Sequence, residues 1–154
     1  MKFEKLKTRP GLGGNPKLEK AYFQFERLLD ELTKKELPDE IVNSINDEIE
    51  ALNSIAESGK ILKKEIRKRQ SGIIRLIEKK LKIVPKNYYR NMWLALGMAA
   101  FGIPLGVALG TSLDNMAFLG VGLPIGLAIG IGVGTSMDQK AAREGRQIDV
   151  EIEL

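Results

Sequence analysis

With histidine and cysteine both absent, the charged side chains left for chemistry are 20 carboxylates and 24 Lys and Arg. Without cysteine there is no thiolate nucleophile, no disulfide framework and no thiolate-ligated zinc. Without histidine the commonest general base, the commonest metal ligand and every Ser-His arrangement go too. Paired carboxylates can still move protons. Here the acids are strung along helical segments, and no nucleophile, base and donor assemble into one constellation. The sequence therefore predicts a protein that is not an enzyme, with no cofactor and no metal site. Gly11, Gly13 and Gly14 put three glycines in four residues, as a phosphate cradle would. The Lys-Ser/Thr of a P-loop is missing and no buried strand precedes the cluster, so it reads as a flexible turn.

The bases are unevenly placed. Residues 39–57 hold six acids and no base, a net of −6, whereas residues 60–90 hold 12 bases and two acids, a net of +10. Lys63-Lys64-Glu65-Ile66-Arg67-Lys68-Arg69 has the density of a nucleic-acid contact, since clustered bases release counterions from phosphate. Its place in the chain favours another role. It lies ahead of an uncharged apolar run, where bases mark the cytoplasmic side of a membrane and meet anionic lipid. Lys79, Lys80, Lys82 and Lys86 are the expected headgroup contacts, and nucleic acid is the unlikely partner.

Three helices must carry these charges. After a flexible start (residues 1–15), Asn15-Pro16 supplies a cap and a first-turn proline. Leu18, Tyr22, Phe25, Leu28, Leu29 and Leu32 then recur at helical spacing and predict a helix over 16–36, with Phe23 off the stripe. A second helix starts at Pro38-Asp39-Glu40 and carries Ile41, Ile45, Ile49, Leu52, Ile55 and Ala56. Ser58-Gly59 ends or bends it. The third carries Leu62, Ile66, Ile73, Ile77, Leu81 and Val84 up to Pro85. The acidic second helix and basic third helix suit an antiparallel hairpin, which the first completes into a small bundle over 16–85. Charge selects the partner there, while the Ile and Leu stripes supply the stability.

From residue 92 to 137 the only charge is Asp114. Residues 92–113 and 116–137 are two uncharged runs, each ~33 Å long as a helix and so long enough for the hydrocarbon core. Asp114-Asn115 leaves room for nothing but a tight turn. Tyr88, Tyr89, Arg90 and Trp93 sit at the entry, where amphipathic rings prefer the headgroup level. Lys86 and Arg90 precede the first run; Lys140, Arg143 and Arg146 follow the second; the turn has no base. The expectation is a transmembrane hairpin over 86–138 and a cytoplasmic tail over 139–154, in the inner (plasma) membrane, with both termini cytoplasmic. The amino terminus has no apolar h-region, so no cleavable signal peptide is expected.

Ten of the 16 glycines lie in these runs. Gly102, Gly106 and Gly110 in the first, and Gly122, Gly126, Gly130 and Gly134 in the second, repeat every four residues. Such spacing opens a furrow down one face for another backbone. The runs also repeat each other. Gly102-Ile-Pro104-Leu-Gly106-Val-Ala-Leu-Gly110 matches Gly122-Leu-Pro124-Ile-Gly126-Leu-Ala-Ile-Gly130, and Thr111-Ser-Leu-Asp114 matches Thr135-Ser-Met-Asp138. Pro104 and Pro124 fall at similar depth and are expected to kink their helices. With its doubled Gly-x-Pro-x-Gly-x-x-x-Gly, the stretch 97–145 resembles bacterial glycine-zipper two-span membrane proteins. The resemblance implies membrane insertion and tight helix packing, and it carries no catalytic residue across.

Residues 147–154 alternate apolar and acidic side chains, a strand period. Phe3 and Leu6 are candidate partners, and a disordered tail is the alternative. Overall the sequence predicts an all-α chain: a helical bundle or coiled-coil hairpin, then a two-helix transmembrane hairpin and a possible short terminal strand. Its expected role is that of a membrane-anchored adaptor that self-associates through its glycine faces and uses residues 16–85 for a protein partner. A small oligomeric pore or transport accessory is the alternative.

Overall fold

The computed structural model describes residues 3–7, 9, 14–56 and 59–152. Among them the chain is all-α apart from one two-stranded sheet. It forms two compact units. One contains the chain up to Pro85 together with the terminal strand, and the other contains residues 86–147.

The first unit is built on α1 (Pro16–Thr33), α2 (Asp39–Asn53) and α3 (Lys60–Leu81). Asn15 caps α1 by accepting from the Leu18 amide, and Pro16 occupies the first turn, where its missing N–H costs nothing. The periodic stripes meet in one core. Phe25, Leu28 and Leu32, Ile45, Ile49 and Leu52, and Leu62, Ile66, Ile73 and Ile77 are all sealed from solvent. Off-stripe Phe23 is 57% exposed. α3 also turns Ile74 and the amide of Gln70 inward. Glu48 of α2 meets Arg69 of α3 at 2.6 Å and Glu40 meets Lys80 at 3.4 Å, pairings that run in opposite chain directions as an antiparallel hairpin requires.

Each helix ends earlier than expected: α1 keeps its whole stripe but falls short of residue 36, and α2 and α3 stop before the last residues of theirs. α1 stops at Thr33 and α2 at Asn53, which leaves Ile55 half-buried and Ala56 exposed beyond the helix. Gly59 at φ +78° precedes α3, while Ser58 and the Gly11–13 turn lie outside the described residues. α3 does not reach Val84. Lys82 takes the left-handed conformation (φ 56°) and Ile83 N–H returns to the Ile77 carbonyl. Pro85 then holds Val84 extended, and Val84–Lys86 becomes β1.

The start and tail of the chain are tied to this unit. Lys7 N–H donates to Asn53 Oδ1 (2.9 Å), Asn53 Nδ2 donates to the Lys5 carbonyl (3.0 Å), and Tyr22 Oη donates to the Lys7 carbonyl (2.8 Å). The Arg9 guanidinium donates to the Ile55 and Leu52 carbonyls at 2.5 and 2.8 Å, just past and within the last turn of α2. Residues 5, 7 and 9 are thus bonded to α1 and to the end of α2. The tail forms β2 (Gln147–Glu151) as its alternation predicts, but it pairs with β1, not with Phe3 or Leu6. Ile148, Val150 and Ile152 point inward and are buried.

The second unit opens with α4 (Tyr88–Gly97), which continues through a π turn (Met98–Gly102) into α5 (Ile103–Ser112). A short 3₁₀ turn (Met116–Phe118) leads into α6 (Leu119–Arg143). The hairpin turn is economical. Leu113 caps α5, Asp114 is left-handed at φ 47°, and Asn115 N–H bonds back to the Gly110 carbonyl at 2.9 Å, closing the helix in a Schellman turn. The same Asn115 then accepts from Ala117 N–H and starts the next helix. One residue ends one helix and begins the other, which is why two residues suffice.

Candidate membrane hairpin and its glycine seam

Residues 88–112 and 116–143 form two helices long and apolar enough to cross a membrane, and only 17% of the apolar window of each is buried. A core helix of a soluble protein is mostly buried, and these are the opposite. What is buried is glycine. Gly97, Gly102, Gly106 and Gly110 on the first helix, and Gly122, Gly126, Gly130 and Gly134 on the second, are buried, while Phe101, Ile103, Leu105, Val121, Ile125 and Ile129 face outward.

The two furrows face each other. A methyl group added at Gly126 would lie 2.5 Å from Gly102 Cα, one at Gly122 2.6 Å from Gly106 Cα, and one at Gly134 2.5 Å from Arg90 Cα. At Gly130 it would meet the Trp93 carbonyl and lie 3.1 Å from Leu94 Cα. Gly97 joins the seam, 2.8 Å by the same measure from Gly130 Cα. Such distances leave no room for a side chain, so backbone lies on backbone along the interface. Packing is looser toward the turn, where Gly110 would meet Asn115 O at 3.4 Å. Gly120 and Gly132 have open space around them.

The prolines are not equivalent. Pro104 follows the π turn, where a helix commonly absorbs a distortion. Pro124 lies inside α6, which runs on unbroken to Arg143. The repeat thus sets one proline just past a π turn and the other inside a helix that runs on beyond it.

At the open end the seam finishes on an acid. Asp138 follows Gly134 in the same four-residue register and is 6% exposed. Its carboxylate accepts from Tyr89 N–H (3.1 Å) and Arg90 N–H (3.0 Å), the free amides at the start of α4. Asn87, which precedes α4, is left-handed and makes no side-chain cap. Asp138 thus caps a helix from across the interface, and negative charge there also suits the helix dipole. Sequence reading passes over Asp138 as a role-bearing residue; its signal is its place at the end of the glycine register. Just beyond the span, the Arg146 guanidinium beside Glu144 holds that carboxyl below the usual carboxylate range.

The entry aromatics gather here. The rings of Tyr88 and Tyr89 meet edge to face at 5.3 Å, with Tyr89 buried. Trp93 is half-buried and its indole N–H has no acceptor among the described residues. Arg90 is exposed. Of the four lysines expected at headgroups, all are exposed; Lys80 also pairs with Glu40 and Lys82 with Glu78. Among the described residues no group of three or more acids is placed to hold a metal ion. No family model, curated protein or solved structure matches the chain.

Proposed function

We propose that this protein is a two-span integral membrane protein, with a glycine-seamed hairpin that anchors a helical domain and the tail on the cytoplasmic side of the inner membrane. It acts as a membrane-anchored adaptor of structural or interaction type, and the glycine-zipper resemblance, which implies membrane insertion and tight helix packing, supports the anchor. The observation that carries this is the inversion of the hairpin: its interior is glycine backbone and its exterior is a continuous sheath of exposed Leu, Ile, Val, Phe and Met. A soluble monomer rarely exposes so large an apolar surface, whereas lipid covers it without penalty.

Self-association is part of the proposal, and we assign it to the outer faces of the hairpin. The seam glycines are taken up by the other span of the same chain. Copies therefore meet through the outer faces, and no seam needs to open. Expressed in cells, the full chain should stay with the membrane pellet through alkaline extraction and leave it only with detergent. Release by alkali alone would contradict insertion. In mild detergent, Gly126→Leu should lower thermal stability and leave oligomer size unchanged. Dissociation of oligomers at unchanged stability would place the seam between chains instead.

A further inference from the structure

The α2–α3 pairing leaves most of the α3 bases unused. Lys64, Arg67, Lys68 and Arg75 are exposed, and among the described residues none of them has a carboxylate partner. They occupy one face of α3, spaced three, four and seven residues apart, where like charges repel and weaken the helix. Between them lie Ser71 and Gly72, and the whole lines an open cleft of about 640 Å³. Glu48 is the one acid at its edge, and Arg69 engages it at 2.6 Å.

Gly72 is the telling residue. It stands in the middle of a 22-residue helix, where glycine is a poor helix former. A methyl group added there would meet nothing within 4 Å, so packing does not call for its absence. Three residues before Arg75 and four after Lys68, it gives the cleft a bare floor where a ligand can approach the backbone between two cations. On its other side Arg67 lines a smaller cleft with Lys17, Lys20 and Lys63, which extends the positive field across α1.

We infer that this cleft binds a phosphate group, with Lys64, Arg67, Lys68 and Arg75 pairing its charge, the Ser71 hydroxyl donating to it and Gly72 leaving room for it. Arg and Lys together suit a phosphate, which takes forked and single donors alike. The source is a phospholipid headgroup or a soluble phosphate compound. The headgroup assignment rests on the proposed transmembrane hairpin, which would hold the cleft's domain at the bilayer surface.

The test is lysine footprinting of the full-length protein in nanodiscs of neutral phosphatidylcholine, where the rates of acetylation at Lys64 and Lys68 are followed against Lys5. Protection of several-fold on adding inorganic phosphate supports the cleft with a soluble source. Protection seen only in nanodiscs that contain phosphatidylglycerol supports it with a headgroup source. Gly72→Leu should abolish either protection without lowering thermal stability, because the helix gains a better former in open space. Equal protection of all lysines, protection that survives Gly72→Leu, or protection by short duplex DNA alone would each overturn the assignment. A chain that does not enter nanodiscs contradicts the hairpin, and the phosphate titration in buffer then decides the cleft separately.

Discussion

At Asp138 one carboxylate holds the first turn of a helix that has no cap of its own. Removing it in Asp138→Ala takes away the acceptor of the buried Tyr89 N–H and the part-buried Arg90 N–H, which should cost about 1–3 kcal/mol of stability in detergent. Its repeat counterpart Asp114 is exposed in the turn, so Asp114→Asn should fall within about 0.5 kcal/mol of the parent in the same thermal unfolding measurement. Equal losses at the two positions would contradict the capping role. The internal repeat makes both acids legible but cannot tell them apart. That difference arises only when the chain folds back and sets Asp138, not Asp114, beside the amides of Tyr89 and Arg90. Gln70 is a converse case. It lies 1% exposed among the Ile side chains of α3, with its Nε2 lacking an acceptor among the described residues. Gln70→Leu should therefore stabilise the helical unit by about 1 kcal/mol in denaturant unfolding. A loss instead would mean the amide is satisfied.

Among the elements, the terminal strand shows how far periodicity carries. The alternation of Ile148, Val150 and Ile152 reveals a strand with one buried face, and that face is buried. Its partner was hidden because Val84 keeps helical spacing with Ile77 and Leu81 and reads as the last residue of a stripe. Two local features override the stripe: the left-handed Lys82 ends the helix, and Pro85 extends the residue before it. The tail is docked partly through Glu31, which accepts from Lys34 Nζ (2.5 Å) and from Asp149 N–H (3.2 Å). These bonds, that to Lys34 first, hold the Glu31 carboxyl below the usual carboxylate range. A carboxyl with a lowered folded pKa adds stability that is full above its unfolded value and is lost as pH falls through the folded one. Tail protection against carboxypeptidase should thus weaken from about pH 4 downward, and Glu31→Gln should remove that dependence. The α2–α3 charge pairing is smaller in effect. Glu40 and Glu48 reversed to Lys together should cost a few tenths of a kcal/mol per pair, and the loss should shrink at high salt. A salt-independent loss would reject charge pairing.

On the scale of the whole molecule, the glycine register makes the hairpin's packing face visible in the sequence because only a residue with no side chain permits backbone contact. The sequence left open whether that face meets another copy or the same chain, since a furrow looks alike in both cases. Gly126→Leu should cost about 1–3 kcal/mol in thermal unfolding, and Ile125→Ala less, because lipid would replace the contacts that this exposed residue loses. The two-span placement itself is tested most directly by single-cysteine labelling, which the chain invites because it has no cysteine of its own. With one cysteine at Lys5, Asn115 or Gln139, membranes of intact cells and inverted vesicles are treated with an impermeant maleimide. Position 115 should react only from outside, and positions 5 and 139 only from the cytoplasmic face. Reaction of 5 and 139 from opposite faces, or of 115 from the cytoplasmic face, would contradict the transmembrane hairpin.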